Sequence, residues 1–210
     1  TINLSFDEWN VWFHSDEADK KKEKLQIAPP LLEDIYNLED ALVVGTLLIT
    51  LLKNADRVKI GCLAQLVNVI APIMTENNGK VWLQTIFYPF YYTSAYGRGT
   101  ALDIDCECAS YSVEKMKDIP YVESIAVVSE KEDQLVLFAV NRSLDEVCEL
   151  DLCMDSFAGF KLTKHTALEG DDLKASNSPE NPENVVPVEK ELNDQISLAP
   201  HSWNMLVFTK

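Results

Sequence analysis

The stretch INLSFDEWNVW, residues 2–12, decides the fold of the first part of this chain. It begins with alternating apolar and polar residues, which predicts a short β-strand that ends at Glu8 beside Trp9 and Trp12. An acidic side chain at the C-terminal end of a barrel strand points toward the active-site mouth, and indole rings offer apolar faces to a sugar. The stretch therefore fits a sugar-cleaving site. The same residue types also fit an ordinary buried strand end at which Asp7 or Glu8 caps the next segment.

The residues that follow predict a strand–helix–strand unit. Residues 38–54 are rich in Leu, Val and Ala without proline, which favours a long helix capped by Asn37 or Asp40. Apolar residues surround its centre, so we expect it to be buried between a sheet and a neighbouring domain. The apolar run 58–69 predicts a strand of the kind found in parallel sheets covered on both faces. A right-handed crossover would place the C-terminal ends of both strands, and with them Glu8 and Gln65, at one edge.

Three motifs in order carry a resemblance to a known family. They are FDEWNVW at 6–12, AQLVNVIAP at 64–72 and QTIFYPF at 84–90, and the similarity continues through YGRG at 96–99 to the last strand. The chain resembles the C-terminal portion of the α-L-arabinofuranosidases of glycoside hydrolase family 51. The resemblance implies that Glu8 is the catalytic nucleophile after the seventh barrel strand and that Trp12 lines the sugar subsite. It also implies that Gln65 is a polar substrate contact after the eighth strand.

The resemblance also implies that part of the active site lies outside this chain. The family's barrel has six strands upstream of residue 1, and these include an Asn-Glu pair whose Glu is the general acid/base. A retaining glycosidase needs two carboxyl groups about 5 to 5.5 Å apart. Asp7 and Glu8 are adjacent in a strand and should point to opposite faces, so they are not that pair. We therefore expect the isolated chain to lack turnover.

The texture of the sequence changes near Gly97-Arg98-Gly99. The aromatic-rich run 82–96 suggests either a sugar-stacking platform or, as we favour, a last barrel helix packed against the next domain. We place the boundary between a partial (β/α)8 barrel at 1–98 and a C-terminal domain at 99–210. The predicted fold class is thus α/β plus all-β, the C-terminal fragment of a TIM barrel followed by an antiparallel, jelly-roll-like β-sandwich.

The sandwich is predicted from short alternating runs separated by turns. Turns are expected at 131–133 and 170–172, and a long exposed loop at 175–184. Eight strands are expected, at 101–109, 125–128, 135–141, 147–154, 160–168, 185–188, 195–198 and 205–208. An alternative function is a non-catalytic sandwich for carbohydrate binding or oligomerisation, for which Tyr111, Tyr121 and Trp203 are the available aromatic residues.

Composition excludes several classes of partner. A net charge of −16 disfavours nucleic acid and anionic membrane surfaces but does not penalise a neutral, arabinose-containing oligosaccharide or polysaccharide. Five cysteines, among them Cys62 and Cys106 in apolar runs, suggest reduced thiols packed as small hydrophobes and a cytoplasmic location. A zinc site built from cysteines 106, 108, 148 and 153 matches no common spacing. No cofactor or metal is expected, and no Gly-rich phosphate loop or serine-nucleophile elbow occurs.

Two further expectations concern the first part of the chain. The charged loop around 15–24, which closes on Ala28-Pro29-Pro30, is a solvated surface loop or a lid over the substrate cleft. His14 is a structural partner or orients a substrate hydroxyl. A partial barrel also exposes a strand edge and apolar faces, so solubility should depend on the sandwich or on self-association into a homo-oligomer.

Overall fold

The computed structural model describes residues 2–12, 25, 27 and 32–210. The described part contains helices α1 (Leu38–Lys53) and α2 (Phe87–Tyr96) and strands β1 (Leu4–Trp9), β2 (Val58–Leu63), β3 (Ile73–Thr75), β4 (Val81–Leu83), β5 (Thr100–Leu102), β6 (Ser110–Val113), β7 (Met116–Pro120), β8 (Val122–Val128), β9 (Gln134–Asn141), β10 (Cys148–Leu150), β11 (Lys161–Leu168), β12 (Val188–Glu189), β13 (Ile196–Leu198) and β14 (Ser202–Thr209). His14 and the predicted loop at 15–24 and 28–30 lie outside the described residues.

The centre of the fold is an antiparallel six-stranded sheet in the order β12-β11-β14-β9-β8-β5. Its middle strands β9 and β14 are buried along almost their whole length, because both faces of the sheet are covered. One face packs against α1 and the aromatic side of α2. The other packs against β10 and β13, which pair with each other, and against the apolar segment that follows β10. The sequence-predicted β-rich C-terminal region is confirmed.

Several strands and connections depart from the prediction. The expected strand at 147–154 is limited to Cys148–Leu150, and the one at 185–188 overlaps β12 only at Val188. The expected strand at 101–109 stops at Leu102, where acidic residues begin to alternate along the chain, and the hairpin β6–β7 follows it instead. The segment at 170–172 begins a long connection rather than a hairpin turn. That connection is only partly exposed, because Asn177 is buried and donates hydrogen bonds to the carbonyls of Leu83 and Val185, each at 2.9 Å.

Helix α1 begins with a capping box that uses both Asn37 and Asp40, the two residues that the sequence offers as alternative caps. The Asn37 side chain accepts from the Asp40 amide at 3.1 Å, and the Asp40 carboxylate accepts from the Asn37 amide at 2.8 Å. The next two amides of the helix, those of Leu38 and Glu39, donate to carbonyls of the connection between β11 and β12 at 2.9 and 3.0 Å. The C-terminal region thus satisfies the start of a helix that precedes it by more than a hundred residues.

Two hydrophobic cores meet at α1, which confirms that this helix is buried on several sides. On one side, residues such as Ala41 and Ile49 join the core of the six-stranded sheet. On the other, Val44 and Leu48 pack with Trp9 and the residues around it. Gly45 allows the closest approach to the sheet, because a Cβ at this position would lie 2.4 Å from Cδ1 of the fully buried Trp203.

The aromatic run is confirmed as a packing element. Helix α2 presents Tyr88, Tyr92 and Tyr96 to the sheet core, and the rings of Tyr92 and Trp203 lie 5.8 Å apart. Phe90, on another side of the helix, contacts the core around Trp9. Helix α2 therefore packs against the same two hydrophobic cores as α1.

We expect Gly45→Ala to lower the free energy of unfolding by about 1–3 kcal/mol, because the added methyl group overpacks against Trp203. The higher helix propensity of alanine offsets only part of this cost. Urea denaturation followed by circular dichroism and tryptophan fluorescence measures the change. Thr50→Ala, at an exposed position of the same helix, is the matched control and should be neutral or stabilising. Equal behaviour of the two variants would contradict the close contact.

We expect Glu123 to make stability depend on pH. Burial by itself raises the pKa of Glu123, but hydrogen bonds and charge from Lys53 and Arg142 outweigh it and hold the pKa below the ordinary glutamate value of 4.5. A lowered folded-state pKa gives a stabilisation that is complete above that ordinary value and is lost as the pH falls through the folded pKa. The difference in unfolding free energy between the native chain and Glu123→Gln should therefore shrink on acidification. A difference that is constant with pH would contradict this.

Candidate active site

The C-terminal ends of β1 and β2 form one edge. The two strands pair in parallel from Leu4 opposite Val58 to Trp9 opposite Leu63, and the Ala64 amide continues the pairing by donating to the Trp9 carbonyl at 2.7 Å. The sequence-predicted convergence of the two strand ends is confirmed. Glu8 directly precedes Trp9, and Gln65 directly follows Ala64. The two candidate residues therefore flank the last backbone hydrogen bond between the strands.

The strand is irregular at the acidic pair. Phe6 lies opposite Gly61 and Trp9 opposite Leu63, so Asp7 and Glu8 together face a single residue of β2. This extra residue is a β-bulge, a feature that bends a strand and re-aims side chains. The strict alternation expected for Asp7 and Glu8 is therefore broken, and both side chains are exposed in this chain.

The two tryptophans beside Glu8 have different environments. Trp9 is 7% exposed and belongs to the core that faces α1, so the expectation that both indoles face a sugar is wrong for this residue. The bulge accounts for its position, since it lets the rings of Phe6 and Trp9 stack at 6.4 Å. Trp12 is 57% exposed. It is the indole that the described part of this edge presents at the surface.

The segment after β2 is a loop with an unusual backbone rather than the continued strand that was predicted to 69. The backbone φ angles are 61° at Gln65, 63° at Asn68 and 61° at Val69. These values lie in the left-handed region, which residues other than glycine seldom adopt. Asn68 stabilises this conformation, because its side chain donates to Thr75 Oγ1 at 2.9 Å and accepts from the Thr75 amide at 2.7 Å. Val69, a β-branched residue, is the most strained of the three. Such conformations concentrate at functional sites.

A buried side chain that the sequence patterns did not single out connects this loop to its surroundings. Gln84, at the end of β4, is 1% exposed. Its Nε2 donates to the carbonyls of Ala71 and Asp34 at 2.8 and 3.2 Å, and its Oε1 accepts from the Tyr36 amide at 2.9 Å. The only sequence signal was its place at the head of the third motif. Gln84 joins the loop after β2 to the segment that leads into α1.

Two further side chains hold the segment that carries Trp12. The Asn10 amide donates to the Ile70 carbonyl at 2.7 Å, and the buried Tyr36 hydroxyl donates to the Val11 carbonyl at 3.1 Å. Burial raises the pKa of Tyr36, and Asp34 and Asp40 raise it further, so the hydroxyl keeps its proton and remains a donor. Through these bonds, the segments bearing Trp12 and Gln65 are attached to one buried polar network.

The alternative sugar platform on the C-terminal region has little support. Trp203 is fully buried, and its ring lies among Phe138, Tyr92 and α1. Tyr111 and Tyr121 are half-buried and contact each other with ring centroids 4.9 Å apart. Stacking on a sugar requires an exposed ring face, so the candidate row of aromatic residues is reduced to this one pair.

Within the described residues there is no group of three or more His, Cys, Asp or Glu side chains that could hold a metal ion. No helix in the same part of the chain is long and apolar enough to span a membrane. The site is therefore described by Glu8, Trp12, Gln65 and the polar network beneath them.

Comparison with known proteins identifies the class. A sequence model described as the α-L-arabinofuranosidase C-terminal domain matches residues 7–202. The chain belongs to this family, and the resemblance carried by its three motifs is confirmed. The structure superimposes on a family 51 α-L-arabinofuranosidase from Bifidobacterium longum with a TM-score of 0.89 and 35% identity, over 100% of this chain and 43% of that one.

Two curated relatives are similar over nearly the whole chain. An intracellular exo-α-(1→5)-L-arabinofuranosidase of Bacillus subtilis is 50% identical over 216 residues, covering 100% of this chain and 43% of the relative. The enzyme of the same name from Halalkalibacterium halodurans is 50% identical over 212 residues, covering 98% of this chain and 42% of the relative. The chain thus spans about two fifths of the length of the curated relatives that it matches.

We expect Gln84→Leu to lower the free energy of unfolding by at least about 2 kcal/mol, because it leaves buried backbone groups at Tyr36, Asp34 and Ala71 without their partner. Thermal and urea unfolding measure the loss. Gln195→Leu, which removes the same amide from an exposed position, is the control and should stay within about 0.5 kcal/mol of the native chain. A small loss for Gln84→Leu would show that the network is replaceable.

Proposed function

We propose that this chain supplies the nucleophile side of the active site of a retaining α-L-arabinofuranosidase, with Glu8 as the nucleophile. The observation that carries the proposal is the parallel pairing of β1 and β2, which brings the ends bearing Glu8 and Gln65 to one edge. The names of the similar enzymes support arabinose-containing oligosaccharides as substrates, with removal of terminal α-(1→5)-linked L-arabinofuranosyl residues. The negative charge of the chain suits a neutral sugar rather than nucleic acid or an anionic membrane.

In this reaction, each residue has a defined task. The Glu8 carboxylate attacks the anomeric carbon as the aglycone oxygen leaves, and the resulting arabinosyl ester is then hydrolysed by water with overall retention. Trp12 offers an exposed indole face beside the sugar ring. Gln65, held in a left-handed conformation, directs an amide toward a sugar hydroxyl. The bulge at Asp7 and Glu8 sets the direction of the nucleophile.

The general acid/base is proposed to come from outside this chain, from the rest of a (β/α)8 barrel. Leu4, Phe6 and Ile60 are each about half exposed on β1 and β2, and a parallel pair of strands is stable only when both faces are covered. Further barrel strands would cover these residues and bring the second carboxyl group opposite Glu8. On this proposal, residues 1–98 are barrel and residues 99–210 are the accompanying β-sandwich domain.

A cytoplasmic location is proposed with the same function. The five cysteines are free thiols, which suits a reducing compartment, and the names of both curated relatives describe intracellular enzymes. Association of the chain with copies of itself, proposed from its exposed apolar strand faces, is a second feature that size-exclusion chromatography can test.

We expect the purified 210-residue chain to show no hydrolysis of aryl α-L-arabinofuranosides or arabino-oligosaccharides above the uncatalysed rate, because Glu8 has no acid partner. Mass spectrometry of the products and absorbance of a released nitrophenol measure this. Hydrolysis by the pure chain, lost in Glu8→Gln, would place the acid/base within these residues and would contradict the proposed division of the site.

A chimera tests the nucleophile directly. We expect a protein that joins the part of the Bacillus subtilis relative not matched by this chain to the present 210 residues to hydrolyse arabino-oligosaccharides. Glu8→Gln in the chimera should lower kcat by about a thousandfold or more, as for other catalytic nucleophiles. Asp7→Asn is the matched control and should retain activity within about tenfold. An active Glu8→Gln chimera would exclude Glu8 as the nucleophile.

A further inference from the structure

Three of the five cysteines gather in one cleft, away from the strand edge that carries Glu8. The cleft has a volume of about 230 Å³, and its sulfur-bearing residues are Cys106, Cys108 and Cys148. The segment between β5 and β6 supplies the first two, and β10 supplies the third. We call this arrangement the thiol cleft. Its floor is the face of β8 and β9 that carries Val122, Ser124, Leu137 and Ala139.

The three thiols are neighbours as well as lining residues. Burial raises the pKa of Cys106, and a thiolate at Cys108 raises it further. The Cys108 sulfur donates to the Val122 carbonyl at 3.9 Å. Burial raises the pKa of Cys148, and the negative charge of a thiolate at Cys108 or, to a smaller extent, at Cys106 raises it further. Such coupling requires proximity, since charge interactions weaken with distance.

This environment corrects the sequence-based view of the cysteines. The expectation of packing as small hydrophobes is wrong for Cys62 and Cys106, which are both exposed, as is Cys108. Cys148 is half-buried and packs against the sheet core. The segment 103–109 forms no strand; Ile104 packs against the sheet core, while Cys106 and Cys108 stay exposed. Neighbouring accessible thiols that do not form a metal site have one characteristic chemistry, which is thiol–disulfide exchange.

We propose that the thiol cleft is a modification site at which Cys108 and Cys148 form a reversible disulfide with a small disulfide as the oxidant. Cys148 is half-buried and lines the same cleft as Cys106 and Cys108. Of these two thiols, Cys108 has the larger effect on the pKa of Cys148. Cys106 is separated from Cys108 by one residue, so a bond between those two would close a small and strained ring. The bond to Cys148 instead ties the segment 103–109 to β10.

The exchange is balanced as two successive displacements. The Cys108 thiolate attacks the small disulfide, which gives a mixed disulfide and releases one small thiolate. The Cys148 thiolate then attacks the Cys108 sulfur, which forms the protein disulfide and releases the second small thiolate. The two protons lost by the protein thiols are taken up by the released thiolates. The protein dithiol is oxidised by two electrons, and the small disulfide is reduced to two thiols.

The test uses the 210-residue chain with oxidised glutathione at a pH of about 8.5, at which thiols with ordinary pKa values are partly ionised. Glu107 lies between Cys106 and Cys108, so a glutamate-specific protease separates these two cysteines into different peptides. Mass spectrometry without reduction should find the peptides of Cys108 and Cys148 joined. The oxidised chain should unfold about 5 °C or more above the reduced one, and reductant should remove this difference.

Variants distinguish the thiol cleft from general cysteine reactivity. Cys148→Ser should accumulate a glutathione adduct on Cys108, and Cys108→Ser should form no disulfide at Cys148. Neither variant should show a rise in the unfolding temperature. Cys153→Ser and Cys62→Ser, at exposed thiols outside the cleft, are the controls and should form the same bond as the native chain. A Cys106–Cys108 bond, separate adducts on each cysteine of the native chain, or equal linkage through Cys62 or Cys153 would overturn the proposal. Peptide mapping of the native chain requires no substitution, so it tests the proposal even if a variant fails to fold.

Discussion

The structure depends on the burial of α1 between two hydrophobic cores. One side of this helix completes the core of the six-stranded sheet, and the other completes the core around Trp9 below the β1–β2 edge. The close approach at Gly45 lets Trp203 of the last strand fill the space between helix and sheet. Because large apolar surfaces meet on both sides of one element, loosening that helix would disturb the candidate site and the C-terminal sheet together.

Buried side-chain amides hold the connecting segments that lie outside the hydrophobic cores. Gln84 joins the loop after β2 to the approach to α1, and Asn177 joins the long connection after β11 to β4. Asn141, fully buried, donates to the carbonyls of Glu146, Leu198 and Ala199. A satisfied amide in a core is costly to remove, because each of its partners then loses a hydrogen bond. These residues hold irregular segments in single conformations where no strand or helix pairing is available.

The same construction explains how the candidate site can be built on only two strands. Glu8 and Gln65 lie at the ends of a short parallel pair of strands. The segments that follow both strands are held by side-chain hydrogen bonds from Asn10, Tyr36 and Gln84. Anchoring of this kind holds the segments at the C-terminal ends of the two strands, where Glu8 and Gln65 lie. The apolar side chains that stay exposed on this pair, among them Leu4, Phe6 and Ile60, are the surface that the proposed barrel strands would cover.

The sequence by itself determined the family, the βαβ unit, the burial of α1 and the β-rich C-terminal region. Each of these can be predicted from local periodicity, capping residues or motif spacing, which depend on residues close together in the chain. Only the tertiary structure decided which tryptophan is buried and where the β-bulge lies. It also decided that Gln84 joins two segments by hydrogen bonds and that three cysteines line one cleft. These features depend on contacts between residues far apart in the chain, and no local pattern records them. Trp9 and Trp12 show the difference: they are three residues apart and chemically identical, and only packing against α1 makes one of them part of the core.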